Sequence, residues 1–64
     1  MIGYVSKDRD GELYLHIEKP TYKDDSLGWV SNIEMIYITG QFPEFDDMSY
    51  TDEPIKVEIN IKKV

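Results

Sequence analysis

The chain has 64 residues, with 7 Lys plus Arg against 13 Asp plus Glu and a formal net charge of −6. It contains no Cys, which excludes disulfides, Cys-ligated metal centres and thiol catalysis. The excess of acids disfavours direct nucleic-acid binding. No apolar run approaches the roughly 20 residues of a membrane span, and the opening MIGYVSKDRD lacks the pattern of a secretion signal. We therefore expect one cytoplasmic domain over residues 1–64, with no membrane association.

The first half of the chain predicts two strands joined by a hairpin turn. Ile2 to Lys7 forms the first strand, and Asp8 to Gly11 supplies the local hydrogen bonds and positive φ of a tight turn. The segment Glu12 to Glu18 alternates apolar and polar residues, which is typical of a half-buried strand. This alternation places Leu13, Leu15 and Ile17 toward the core, and Tyr14 and His16 toward solvent.

The middle of the chain predicts a further strand pair between two loops. Trp29 to Ser31 and Glu34 to Thr39 form the pair, turned at Ser31-Asn32 and stopped by Gly40. The flanking segments Lys19 to Gly28 and Gly40 to Glu53 are expected to be loops, because Pro20 and Pro54 mark the joints. The second loop can hold a single helical turn from Pro43 to Met48, since Pro suits the first helical position.

The last segment, Ile55 to Lys62, alternates without a break and predicts a strand. Its Ile55, Val57, Ile59 and Ile61 face the core, whereas Lys56, Glu58, Asn60 and Lys62 face water or a partner. About five short, sequential strands predict an all-β fold: a small antiparallel meander that can curl into an open barrel. A core this small gives marginal stability, which self-association through a sheet edge would support.

Two motifs invite a chemical interpretation. Asp8, Asp10 and Gly11 are similar to part of a calcium loop, but alignment on Gly11 puts Ser6 at the first ligand position and Ile17 where a bidentate Glu is needed. The hairpin turn is therefore the better interpretation, and no metal or other cofactor is expected. His16 has no nucleophile motif near it in sequence, so we expect a solvated or cross-strand side chain and no enzymatic activity.

The segment Gln41 to Pro54 is the candidate partner-binding site, because it carries five acids and no Lys or Arg, together with aromatic residues. Such a loop can dock on a basic, partly apolar protein surface, with charge speeding encounter and the rings giving affinity. Alternatively, the rings cap the core and the acids only solvate the surface. Trp29 is expected to pack in the core. The candidate partner-binding residues are Phe42, Glu44, Phe45, Asp46, Asp47, Tyr50, Asp52 and Glu53.

Four segments carry a likeness to other proteins: Ile2 to Leu15 (IGYVSKDRDGELYL), Glu18-Lys19-Pro20, Phe42-Pro43-Glu44 and Asp52 to Ile59 (DEPIKVEI). Together they resemble a family of short, uncharacterised proteins of gut anaerobes and their phages or mobile elements. The likeness covers nearly the whole chain and departs from the family pattern at Asp46 to Thr51. It implies an accessory role in a mobile-element setting, with no known reaction, cofactor or site residue.

Two functions remain open from the sequence. The first is a non-enzymatic accessory protein that engages a protein partner through the acidic-aromatic loop or a free sheet edge. The second is a self-associating structural β module, in which the strand Ile55 to Ile61 pairs edge to edge with another copy.

Overall fold

The computed structural model describes residues 1–26 and 28–60. The fold is all-β, as predicted, with six strands in place of about five. No helix in this described part of the chain is long and apolar enough to cross a membrane. The elements in chain order are β1 (Ile2–Lys7), β2 (Leu13–His16), β3 (Thr21–Lys23), a 3-10 turn (Asp24–Ser26), β4 (Gly28–Val30), β5 (Met35–Tyr37), a second 3-10 turn (Pro43–Phe45) and β6 (Ile55–Glu58).

Four strands form an antiparallel sheet in the order β5-β2-β1-β6. The predicted hairpin between β1 and β2 is confirmed. Asp8 N–H donates to the Glu12 carbonyl (2.9 Å), and Gly11 N–H donates to the Asp8 carbonyl (2.9 Å). Gly11 has φ of 91°, which an L side chain rarely adopts, so the turn requires glycine there. The segment first compared with a calcium loop is thus a tight turn.

The predicted pairing of Trp29–Ser31 with Glu34–Thr39 is wrong. Strand β4 pairs with β3, inside the segment Lys19 to Gly28 that was expected to be a loop, and β5 pairs with β2. Trp29 lies directly opposite Tyr22 in the β3–β4 hairpin, and their rings pack edge to face at 5.4 Å. An aromatic cross-strand pair of this kind stabilises a short hairpin and selects its register. The two sheets do not close into a barrel.

The core lies on one face of the four-stranded sheet. Its buried residues are Val5, Leu13, Ile38 and Met48, with Leu15, Phe45 and Val57 packed against them. Met48 comes from the long loop after β5, so part of this loop covers the sheet. The helical turn predicted to start at Pro43 is present as the 3-10 turn Pro43–Phe45. Trp29 is half-buried outside this core, in a separate aromatic cluster with Tyr22.

Of the two positions predicted for His16, the solvated one is wrong, because its side chain is fully buried. The cross-strand one is confirmed, since the ring bonds Ser6 of the neighbouring strand β1. Strict alternation predicts that the face of the sheet opposite the core is exposed to water. Ser31, which follows β4, instead lies over this face and forms a hydrogen bond with the His16 ring. Ile17 and Ile55, predicted to face the core, are both exposed: Ile17 follows the end of β2, and Ile55 starts the edge strand β6. The inward position predicted for Ile61 falls outside the described residues.

Candidate functional site

An open, mainly apolar groove of about 390 Å³ runs along the core face of the sheet. Val5 and Leu15 are directly opposite each other in β1 and β2, so their side chains share this face. Val57 of β6 and the loop after β5 complete the walls. The groove is lined by Val5, Leu15, Ile38, Phe42, Glu44, Phe45, Val57, Glu58, Ile59 and Asn60.

The turn Pro43–Phe45 positions the two phenylalanines of the groove. Phe45 N–H donates to the Phe42 carbonyl at 3.0 Å, and Pro43 pre-sets the backbone at the first position of the turn. The two rings therefore lie edge to face with their centroids 6.5 Å apart. Phe45 is half-buried against the core, whereas Phe42 remains 42% exposed. The loop thus caps the core through Phe45 and presents Phe42 to solvent.

The rim of the groove is acidic. Glu44 lines it directly, and the exposed Asp46 and Asp47 follow Phe45 in the chain. The Glu58 carboxylate lies 3.9 Å from the N-terminal ammonium of Met1, with which it forms an ion pair. The nearby Lys7 uses its Nζ to donate to the main-chain carbonyl of Asp46 (2.8 Å), which ties the turn to β1. Because Lys7 bonds the main-chain carbonyl and not the side chain, the exposed Asp46 carboxylate can contact a partner. A positively charged group brought to this rim meets carboxylates close to exposed aromatic surface.

The remaining residues of the predicted site lie apart from the groove or stabilise the loop. Asp52 accepts a hydrogen bond from Ser49 N–H (2.8 Å), and its own N–H donates to the Ser49 carbonyl (3.0 Å). Asp52 therefore builds the turn that leads to β6. Glu53 is exposed and does not line the groove. Tyr50 belongs to a different cluster.

This second cluster gathers Tyr50 with Arg9, Tyr22 and Trp29 around a shallow depression of about 320 Å³. The Arg9 guanidinium lies 5.3 Å from the Tyr50 ring centroid and donates to the Tyr22 hydroxyl at 3.1 Å. The Trp29 indole N–H donates to the Tyr50 carbonyl at 3.2 Å. These contacts join the β3–β4 hairpin to the long loop, so the cluster fixes the two parts of the fold to each other.

A buried polar network lies on the other face of the sheet. The Ser31 hydroxyl donates to the Ile33 carbonyl (2.8 Å), so it accepts from His16 Nδ1–H (3.2 Å). His16 Nε2 then accepts from the Ser6 hydroxyl at 2.7 Å. The Ser31 contact therefore places the proton of the neutral ring on Nδ1. Burial lowers the pKa of His16 below its usual 6.5, against a smaller opposing effect of the Asp8 carboxylate.

The Ser6–His16 pair has the spacing of a nucleophile and its base, but not the access. Both side chains have 0% exposure, so no substrate atom reaches the Ser6 oxygen. The third partner is the Ser31 hydroxyl, not a carboxylate that would stabilise an imidazolium. Burial also raises the pKa of Asp8, although Trp29 N–H donates to its carboxylate at 3.1 Å and opposes the rise. The network is best explained as satisfaction of buried polar groups.

The sequence placed the candidate site in the loop alone and missed the groove residues outside it, which are Val5, Leu15, Ile38, Val57, Glu58, Ile59 and Asn60. The alternation of β6 did indicate that Val57 and Ile59 share a face, but not that the loop leaves this face partly open. Within residues 1–26 and 28–60, no group of three His, Asp or Glu side chains is placed to hold a metal ion. Comparisons of the chain with protein-family models, with curated proteins and with solved structures return no match.

Proposed function

We propose that this chain is a cytoplasmic, non-enzymatic accessory protein that binds a protein partner through the groove beside Phe42. The partner supplies an extended segment in which apolar side chains alternate with Lys or Arg. The observation that carries the proposal is the open apolar groove with carboxylates on its rim. The resemblance to small proteins of phages and mobile elements supports an accessory role.

The apolar walls account for affinity in this proposal. Phe42 is exposed, and Phe45, Val57 and Ile59 are only partly covered, so a partner side chain in the groove removes apolar surface from water on both sides. An aromatic residue at the centre of such a contact contributes more than its neighbours. Phe42 is therefore the residue expected to dominate binding.

The acidic rim accounts for selectivity. Glu44, with the exposed Asp46 and Asp47 close to it in the chain, attracts Lys or Arg and repels acidic segments, and the overall charge of −6 increases the encounter rate with a basic partner. The same charge disfavours phosphate backbones, so the proposed partner is a protein and not a nucleic acid. A peptide segment that combines apolar and basic side chains fits both features of the groove.

Three synthetic peptides test this proposal: one alternating Leu with Lys, one alternating Leu with Glu and one alternating Ser with Lys. Isothermal titration calorimetry should detect binding of the Leu–Lys peptide only, because affinity requires both the apolar walls and the rim. Phe42→Ser should weaken this binding about tenfold or more. Equal binding of the Ser–Lys peptide, or unchanged binding by Phe42→Ser, would contradict docking in the groove.

A matched pair of variants separates the rim from net charge. Glu44→Lys and Asp25→Lys each change the net charge from −6 to −4, since each replaces one negative charge by one positive charge. Asp25 is exposed in the 3-10 turn Asp24–Ser26, which does not line the groove. Glu44→Lys should weaken binding more than Asp25→Lys. Equal losses would show that only long-range charge matters.

A further inference from the structure

Strand β5 is an edge of the four-stranded sheet, and its outer side carries unpaired main-chain groups. Ile38 N–H donates to the Leu13 carbonyl at 3.0 Å, which identifies the Leu13–Ile38 pair as hydrogen-bonded. Hydrogen-bonded and non-hydrogen-bonded pairs alternate along an antiparallel ladder. The Leu15–Ile36 pair is therefore hydrogen-bonded as well, and the N–H and C=O groups of Met35 and Tyr37 point away from β2.

The same alternation can be checked across the sheet. Asp8 N–H donates to the Glu12 carbonyl, and Ile59 N–H donates to the Met1 carbonyl. Each bond fixes which residues of β1 direct their main-chain N–H and C=O groups toward β2 and which toward β6. Both assignments agree with the one made for β5. No hydrogen bond to the outward groups of Met35 and Tyr37 is present among residues 1–26 and 28–60.

We propose that β5 pairs antiparallel with β5 of a second copy about a twofold axis at Ile36, which joins two four-stranded sheets into one continuous eight-stranded sheet. With Ile36 opposite Ile36 of the second copy, each Met35 lies opposite the other copy's Tyr37. Met35 and Tyr37 are the residues whose main-chain groups point outward, so both Met35–Tyr37 pairs can exchange two hydrogen bonds. The register is self-complementary, as a twofold interface requires.

The side chains of β5 also favour pairing with a second copy of the chain. Met35, Ile36 and Tyr37 are all exposed, with Ile36 at 51% and Tyr37 at 52%. In the proposed register, Ile36 lies opposite Ile36 of the second copy in a non-hydrogen-bonded pair, where side chains approach most closely. Met35 packs beside the other copy's Tyr37, which is a favourable sulfur–aromatic contact. The dimer thus covers apolar side chains that a monomer leaves in water.

Charge also favours this edge over the other. Glu34 lies opposite Ile38 of the second copy, so no like charges face each other in the β5 pairing. The outer edge of β6, which the sequence suggested for self-association, presents Lys56 and Glu58, because Val57 is paired toward β1. Charged residues on an edge strand protect it from pairing. The second copy is therefore assigned to β5.

Sedimentation equilibrium over about 10 μM to about 1 mM tests the dimer. The pairing involves only a short strand, so the average mass should rise from monomer toward dimer within this range. Ile36→Lys should abolish the rise, because it places two cations at the closest pair of the interface. The matched control is Ile55→Lys, which changes an exposed isoleucine on the same face of the opposite edge strand.

The outcomes are distinguishable. A concentration-dependent dimer that Ile36→Lys abolishes and Ile55→Lys preserves supports the proposal. A strict monomer at 1 mM, an open-ended polymer, or a dimer lost in Ile55→Lys but kept in Ile36→Lys overturns it. A monomer that instead pairs β5 with a foreign strand peptide overturns it too. Neither isoleucine lines the groove, so these results are independent of the proposed docking function.

Discussion

Ser6 Oγ and His16 Nε2 lie 2.7 Å apart with both side chains fully buried. Ser6→Ala leaves the ring nitrogen without its donor in a site closed to water, so we expect a loss of about 1–3 kcal/mol in the free energy of unfolding. Urea denaturation followed by tryptophan fluorescence measures it. Ser49→Ala, at an exposed serine whose hydroxyl bonds the neighbouring Thr51, should cost less than about 1 kcal/mol, because water can replace that contact. Equal losses would mean that the buried contact has no special role.

The same network predicts how stability depends on pH. The pKa of His16 is lowered in the folded state, so below pH 6.5 the unfolded chain binds more protons than the folded chain. The free energy of unfolding should therefore be constant above about pH 7.5 and fall as the pH drops through 6.5 toward the lowered value.

Nuclear magnetic resonance reads this titration directly, because the chain has only one His and its ring signal is unambiguous. A ring that titrates at or above 6.5 in the folded protein would contradict the assignment of a neutral, buried His16. The raised pKa of Asp8 produces the opposite slope at more acidic pH, where the unfolded carboxyl titrates near 3.8. The two groups are therefore distinguished by the sign of their effect on stability.

The close approach of Gly28 to Asp8 gives a coupling prediction. A Cβ on Gly28 would lie 2.5 Å from the Asp8 carboxylate, which accepts from Trp29 N–H. Gly28→Ala must displace this carboxylate and should cost about 1.5–3 kcal/mol, as expected for a lost hydrogen bond to a charged group. In an Asp8→Ala background the same substitution should cost at least about 1 kcal/mol less. Additive losses in a double-mutant cycle would contradict the contact.

Core packing gives a fourth stability prediction. Leu13 is almost fully buried among Val5, Ile38 and Met48, so Leu13→Ala should cost about 2–5 kcal/mol. A small domain has little stability to lose, and this variant is expected to be largely unfolded at 25 °C. Ile33→Ala removes the same kind of side chain from an exposed position and should leave the far-ultraviolet dichroism unchanged. Similar unfolding of both variants would place the core elsewhere.

The fold class was readable from the sequence because alternation in β1, β2 and β6 is local information. The hairpin at Asp8 to Gly11 and the turn at Pro43 were readable for the same reason, since turn residues act on their own backbone. The pairing of β4 with β3 was not, because the Tyr22–Trp29 contact acts between segments that the pattern placed in different elements.

The candidate site was only partly readable. The composition of Gln41 to Pro54 indicated an acidic, aromatic loop, but not that Phe45 would cap the core while Phe42 stays exposed. Tyr50 and Asp52 share this composition and still have structural contacts elsewhere. The burial of His16 was also missed, because a polar residue on an alternating strand implies solvent unless its hydrogen-bond partners, here Ser6 and Ser31, are known.

The salt response distinguishes the two parts of the proposed interaction. Binding of the Leu–Lys peptide should weaken as salt rises from about 50 mM to about 500 mM, because the rim carboxylates are exposed and screened. Glu44→Lys should flatten this dependence, whereas Phe42→Ser should weaken binding at every salt concentration. Salt-independent binding by the unmodified chain would contradict a role for the rim.

The most direct test of the account is residue-resolved nuclear magnetic resonance during titration with the alternating Leu–Lys peptide. Docking in the groove predicts that the largest amide shifts occur at Phe42, Phe45, Val57 and Ile59, which line it. Shifts confined to Arg9, Trp29 and Tyr50, or no saturable shifts at all, would contradict the assignment of the groove as the binding site.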